Sequence, residues 1–121
     1  MKVAATAICH SDIHDLRGDF GGSPPFVGGH ETAGYVDEIG ANVTYDNMGT
    51  LANQKGEEVV QKARVGGFAE YAVVHESQSV KIDDDFPLDL ASLLACGVTT
   101  GFGAVVRGPA RIMTYHDAHP V

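Results

Sequence analysis

Apolar positions along the chain fall into short clusters separated by glycine-rich or charged breaks. Residues 3–8 (VAATAI) form a short, mostly apolar run of strand length, which predicts a buried strand delivering Cys9. Residues 10–16 are polar with helical turns. The stretch 19–29, with Gly21-Gly22-Ser23-Pro24-Pro25, reads as a loop. Residues 32–39 (TAGYVDEI) are small and β-prone and predict a strand, with a turn at 40–42. Residues 45–64 mix Asn, Gly, Gln, Lys and Glu without a sustained period. They read as an irregular segment in which Val59-Val60 is at most a short strand. Residues 68–75 (FAEYAVVH) alternate and predict a strand, and 79–82 (SVKI) predict another. The run Asp83-Asp84-Asp85 reads as a solvated turn. In 87–95, Leu88, Leu93 and Leu94 have helical spacing, with Asp85 or Asp89 near the start. Cys96-Gly97 reads as a break before a second helix at 99–106, which Gly108-Pro109 stops.

Short strands followed by late helices imply a β-dominated α+β domain and argue against a doubly wound sheet. The length of 121 residues fits one domain, assigned to 1–106, with an irregular tail at 107–121. Fifteen glycines favour tight turns and close backbone approaches over long helices. The net charge of −8 disfavours nucleic acid and anionic membrane surfaces as partners. No apolar run reads as reaching the roughly 20 residues that span a bilayer. No signal-peptide pattern precedes Cys9, so a cytoplasmic location is the expectation.

Cys9, His30 and Cys96 are metal-ligand residue types. A catalytic zinc takes three protein ligands, Cys2His among the known sets, and keeps a fourth position open. Thiolate and imidazole suit that ion. Spacing alone does not decide the matter, because a single buried Cys is commonly a small core residue. A disulfide between the two cysteines is the one pairing available, but the Cys content is far below that of secreted disulfide scaffolds, and reduced thiols are expected.

The surrounding words add more. Ile8-Cys9-His10-Ser11-Asp12-Ile13-His14, Gly29-His30-Glu31 with Ala33-Gly34, Phe68-Ala69-Glu70-Tyr71, and Cys96-Gly97-Val98-Thr99-Thr100-Gly101-Phe102-Gly103 stand in this order. Together they resemble the ICHSDxH, GHExxG, FAEY and CGVTTGxG motifs of the zinc-dependent medium-chain alcohol dehydrogenases, over roughly residues 3–44 and 66–106. The resemblance implies a partial GroES-like catalytic domain with short C-terminal helices and no Rossmann domain. It implies zinc ligands at Cys9, His30 and Cys96, with Glu31 beside the ion. It implies that Asp12 accepts a hydrogen bond from the second nitrogen of His30, which would fix the tautomer. It further implies that Ser11 bonds the alcohol, that His14 passes the proton to solvent, and that Thr100 contacts the nicotinamide side of NAD. The implied activity is oxidation of primary alcohols or reduction of aldehydes. The finer wording is most similar to bacterial enzymes that hold NAD tightly and to thiol-linked formaldehyde dehydrogenases.

Plainer roles remain open at each position. Asp12 could cap a helix, Ser11 and His14 could be loop residues, Thr100 could bond its own backbone, and Glu31 could be exposed. His116 and His119 read as an incidental pair.

The chain also departs from the family pattern. Met1 stands almost on top of the ICHSD segment, where the family has two preceding strands, so unpaired strand edges could support a homo-oligomer. No Cys lies between Cys9 and Cys96, so no structural zinc lobe is expected and 45–64 takes its place. No G-x-G-x-x-G fingerprint follows Gly103. The dehydrogenase reading therefore stands beside two others, a non-catalytic zinc-binding or association module and an inactive remnant.

Overall fold

Two adjacent strands and a helix laid across them carry the centre of the structure. The computed structural model describes residues 1–21, 24–40 and 51–107. Strand β1 (Lys2–Ala7) pairs antiparallel with β3 (Glu31–Tyr35), from Lys2 opposite Tyr35 to Ala7 opposite Glu31, with an irregularity between Val3 and Ala5. Helix α1 (His10–Arg17) follows β1 directly. It ends at Gly18, whose left-handed φ of 79° suits a residue without a Cβ. Strand β2 (Phe26–Val27) lies parallel to β5 (Glu58–Gln61), and β5 pairs antiparallel with β4 (Leu51–Ala52) to close a second, three-stranded sheet. A 3-10 turn at Lys62–Arg64 and another at Glu76–Gln78 punctuate the following chain.

Helix α2 (Leu88–Leu93) packs on β1 and β3. Its buried positions are Ala91 and Ser92, and the other buried apolar residues among those described are Ala33 and Ala72. Small side chains let the helix approach the sheet closely, so the core is made of alanines and no large side chain is fully enclosed among the described residues.

Several expectations need correction. Residues 68–75 form no strand. β1 spends one edge on β3, and among the described residues its other edge is met only at its start, by the bridge Lys2↔Tyr71 and the bonds Val3 N–H to Glu70 O (2.9 Å) and Ala72 N–H to Met1 O (3.0 Å). Residues 79–82 have no strand partner among the described residues either. The strand expected over 32–39 stops at Tyr35. The loop expected at 19–29 contains β2. The segment read as irregular contains the β4–β5 hairpin, whose turn Asn53 closes by accepting from the Lys55 and Glu57 N–H groups (2.9 and 3.0 Å). Helical residues outnumber strand residues among those described, so the fold is mixed α/β rather than β-dominated.

The largest correction concerns Cys96-Gly97, which does not break the helix. The chain widens into a π turn at Leu94–Val98 and continues as α3 (Thr99–Arg107). Leu88–Arg107 is thus one run of 20 helical residues, long and apolar enough to cross a membrane by length and composition; its most apolar 18-residue stretch has a mean hydropathy of 1.5 and is only 11% buried. Treating Gly97 as a stop split that run in two. Residues 41–42 of the expected turn, 45–50 of the irregular segment, Gly22-Ser23, Gly108-Pro109 and the tail with His116 and His119 lie outside the described residues.

Candidate metal centre

Cys9, His30, Glu31 and Cys96 converge from three places in the fold. Each offers one donor atom, and these atoms all lie within 4.8 Å of one another.

Cys9 stands where β1 gives way to α1 and caps the helix in an extended conformation (φ −98°, ψ 156°). Its N–H donates to Asp12 Oδ2 (2.9 Å), and its carbonyl accepts from the Asp12 N–H (3.1 Å). His30 and Glu31 are consecutive, at the entry to β3. Gly29 just before them has φ 86°, and a Cβ there would lie 2.7 Å from the Phe68 nitrogen. Only glycine lets the chain pass so close to residues 67–68, where Gly67 N–H donates to Gly29 O (2.8 Å) and Phe68 N–H to Gly28 O (3.0 Å). That interlock fixes the point from which the imidazole projects. Cys96 comes from the π turn between α2 and α3, a widening often found at functional sites.

Asp12 ties the pieces together. It is 4% exposed, and its second oxygen accepts from the Gly29 N–H (3.1 Å) while lying 3.5 Å from His30 Nδ1. With Nδ1 facing Asp12, Nε2 is the nitrogen left for a metal, and Ser11 Oγ lies 3.4 Å from it. Glu31, also 4% exposed, accepts from the Gly97 N–H (3.3 Å), which links β3 to the π turn.

The two sulfurs are 3.9 Å apart. Zinc–sulfur bonds of about 2.3 Å in a tetrahedral site place two thiolates roughly 3.8 Å apart. The donor set therefore fits that ion in both spacing and chemistry. The thiols differ in acidity. Cys9 is pulled below its ordinary value, first by the Ser11 hydroxyl, then by the Ser11 backbone, His30 and Cys96, against the opposing effect of burial. For Cys96 the Thr100 hydroxyl is the largest influence and pulls downward. Burial and the neighbouring Cys9 and Glu31 outweigh it and push the thiol up.

The remaining positions singled out in the sequence sit around this cluster. Thr100 lies one turn beyond Cys96, its hydroxyl 3.9 Å from the Cys96 sulfur. His14 is not among the four donors. Its Nδ1 meets Asp19 Oδ2 at 2.6 Å, and its ring packs edge-on to His10 with centroids 4.8 Å apart. Sequence reasoning missed Asp19 as a partner, the Gly97 N–H as a bond to Glu31, and Lys62, whose ammonium meets Asp15 at 2.7 Å and anchors α1. The paired glycines 28–29 and 66–67 were the one signal of the interlock.

The fold and cluster together define a small mixed α/β domain carrying a Cys2His-carboxylate centre at the junction of its main sheet and long helix. Residues 1–84 match the alcohol dehydrogenase GroES-like domain model, and the chain belongs to that family. It is 31% identical to "Putative alcohol dehydrogenase D" of Mycobacterium tuberculosis, over 88% of this chain and 40% of that protein. It is 32% identical to S-(hydroxymethyl)glutathione dehydrogenase of Saccharomyces cerevisiae, over 88% of this chain and 39% of that protein. "Alcohol dehydrogenase B" of Mycobacterium tuberculosis is 31% identical over a similar span. The chain therefore spans about two fifths of the length of these curated relatives. The matches run over 147 to 150 positions, more than this chain contains, so the relatives carry extra residues within the matched region. No solved structure matches.

Proposed function

We propose that Cys9, His30 and Cys96 hold one catalytic zinc ion, and that this chain is the zinc-carrying domain of an NAD-dependent alcohol dehydrogenase acting on primary alcohols or aldehydes. The observation that carries the reading is the convergence of two thiols at 3.9 Å, an imidazole and a buried carboxylate within 4.8 Å of one another.

When bound, the ion supplies Lewis acidity toward an alcohol oxygen. The chain's own residues do the rest. Asp12 holds His30 in one tautomer and orientation. Glu31, anchored on the Gly97 N–H, adds negative charge beside the ligands. The Ser11 hydroxyl, on the His30 Nε2 side, accepts the alcohol proton, and His14, oriented by Asp19, passes it to solvent. An imidazole can both accept and donate a proton, which is what that relay needs.

The described residues do not make a dinucleotide site. Among them no strand, glycine-rich turn and helix N-terminus follow one another as pyrophosphate binding needs. NAD therefore belongs to the proposal for the whole enzyme, with Thr100 as this chain's contact.

The test is formation of reduced nicotinamide from a primary alcohol, with the zinc-loaded chain alone and with a nucleotide-binding domain supplied in trans. Turnover that disappears in Cys9→Ser supports the reading. Stoichiometric zinc binding with no turnover in either arrangement favours a non-catalytic zinc-binding or association module. The exposed row Val98, Phe102 and Val105 is the observation on the side of that second reading.

A further inference from the structure

We propose that Cys9 and Cys96 close into a reversible disulfide that competes with zinc, so that the centre responds to thiol–disulfide balance as well as to metal. The competition rests on the zinc reading of the same cluster, while the disulfide itself does not.

The two sulfurs are 3.9 Å apart, and a disulfide requires about 2.05 Å. Closure must bring them together by just under 2 Å. Cys9 is held by its N–H bond to buried Asp12. Cys96 is tethered less directly, through the longer bond of the next residue's N–H to Glu31 (3.3 Å). It sits in a π turn, outside the regular α ladder, and is followed by Gly97, where even an added Cβ would meet nothing closer than a Glu31 oxygen at 3.6 Å. Beyond it, α3 buries none of its residues, so the sheet does not pin that end of the helix.

Both cysteines are free and partly accessible, and they are the only two in the chain. A small disulfide can therefore reach them, and no third thiol competes for the intermediate. In the first step one protein thiolate attacks the small disulfide. A mixed protein disulfide forms, and one small thiol leaves. In the second step the other cysteine attacks the protein sulfur of that bond. The Cys9–Cys96 bond forms, and the second small thiol leaves. Overall the two protein thiols lose two electrons and two protons, and one small disulfide becomes two small thiols.

A sulfur in a disulfide carries no thiolate charge for a metal. Oxidation thus leaves only His30 and Glu31 of the four donors, whereas bound zinc occupies both sulfurs and shields them.

The experiment uses the full 121-residue chain. The metal-free protein is equilibrated in buffers of varied reduced and oxidised glutathione, quenched in acid and measured by intact mass. Zinc uptake is measured separately on the reduced and oxidised forms with a metallochromic dye. The native chain is expected to lose two hydrogens and carry no glutathione, while Cys9→Ser and Cys96→Ser each keep one glutathione adduct. Prior loading with zinc is expected to slow oxidation ~10-fold or more. Reduction restores zinc uptake. A native chain that carries stable glutathione adducts, yet takes up zinc when reduced, overturns the disulfide and leaves the zinc reading standing. A chain that forms the disulfide, but takes up no zinc when reduced, overturns the zinc reading and the competition together. Oxidation at the same rate with and without bound zinc also overturns the competition.

Discussion

Replacing Asp12 by Asn probes the residue that joins Cys9, Gly29 and His30. The carboxylate is 4% exposed, accepts the Cys9 N–H at 2.9 Å and the Gly29 N–H at 3.1 Å, and faces His30 Nδ1 at 3.5 Å. Asparagine has nearly the same shape but only one accepting oxygen. One of the two backbone N–H groups must then face an amide NH2, with donor against donor. A buried donor left without a partner costs about 1–3 kcal/mol. With a urea dependence of about 1–3 kcal/mol per molar, the midpoint for the metal-free protein should fall by roughly 1 M. Loss of the charge opposite Nδ1 should also weaken zinc by about 10–100-fold, the usual cost of removing a carboxylate behind a metal-bound imidazole. Urea unfolding followed by circular dichroism reads the first effect, and competition against a chelating dye reads the second. An Asp12→Asn protein with an unchanged midpoint and zinc affinity would refute the role assigned to this residue.

Other outcomes follow from the same geometry. Zinc affinity should rise with pH, because the ion must displace the proton that burial, Cys9 and Glu31 hold on Cys96. The slope should be about one log unit per pH unit where Cys9 alone is ionised, and about two at lower pH where both thiols are protonated; a chelator competition across pH reads it. Gly29→Ala should destabilise the protein by about 1–3 kcal/mol, since it combines a φ of 86° with a Cβ set 2.7 Å from the Phe68 nitrogen, and a thermal melt shows it. Phe102→Ser, at a side chain 70% exposed on α3, should leave stability within about 0.5 kcal/mol in the same melt.

The site was more legible in the sequence than the fold around it. Cys9, His30, Glu31 and Cys96 were named from motifs, and the fold brings their donor atoms together, because each motif includes its own positioning device. Cys9 comes with Asp12 three residues later on the first turn of α1. His30 comes with Gly29, which permits the close pass at Phe68. What the words could not show was pairing across the chain. The alternation of 68–75 looks like a strand, yet whether it ladders depends on which edge of β1 is free, and that is not a local property. Gly97 illustrates the opposite error. Helix propensity reads glycine as a stop, but here the Gly97 N–H is bonded to Glu31 (3.3 Å) within a π turn, and the helix runs on. The 20-residue apolar helix was missed for the same reason. The β4–β5 hairpin was hidden because its turn depends on Asn53 accepting two backbone bonds, while the flanking strands are too short to show a period.

The central claim is that three residues hold one zinc ion. Its most direct test is the zinc content per chain of protein purified without chelators, beside Cys96→Ser prepared in the same way. The account predicts a value near one for the native chain and a clear fall in the variant. A value near zero in both, or a native value that Cys96→Ser leaves unchanged, would contradict it.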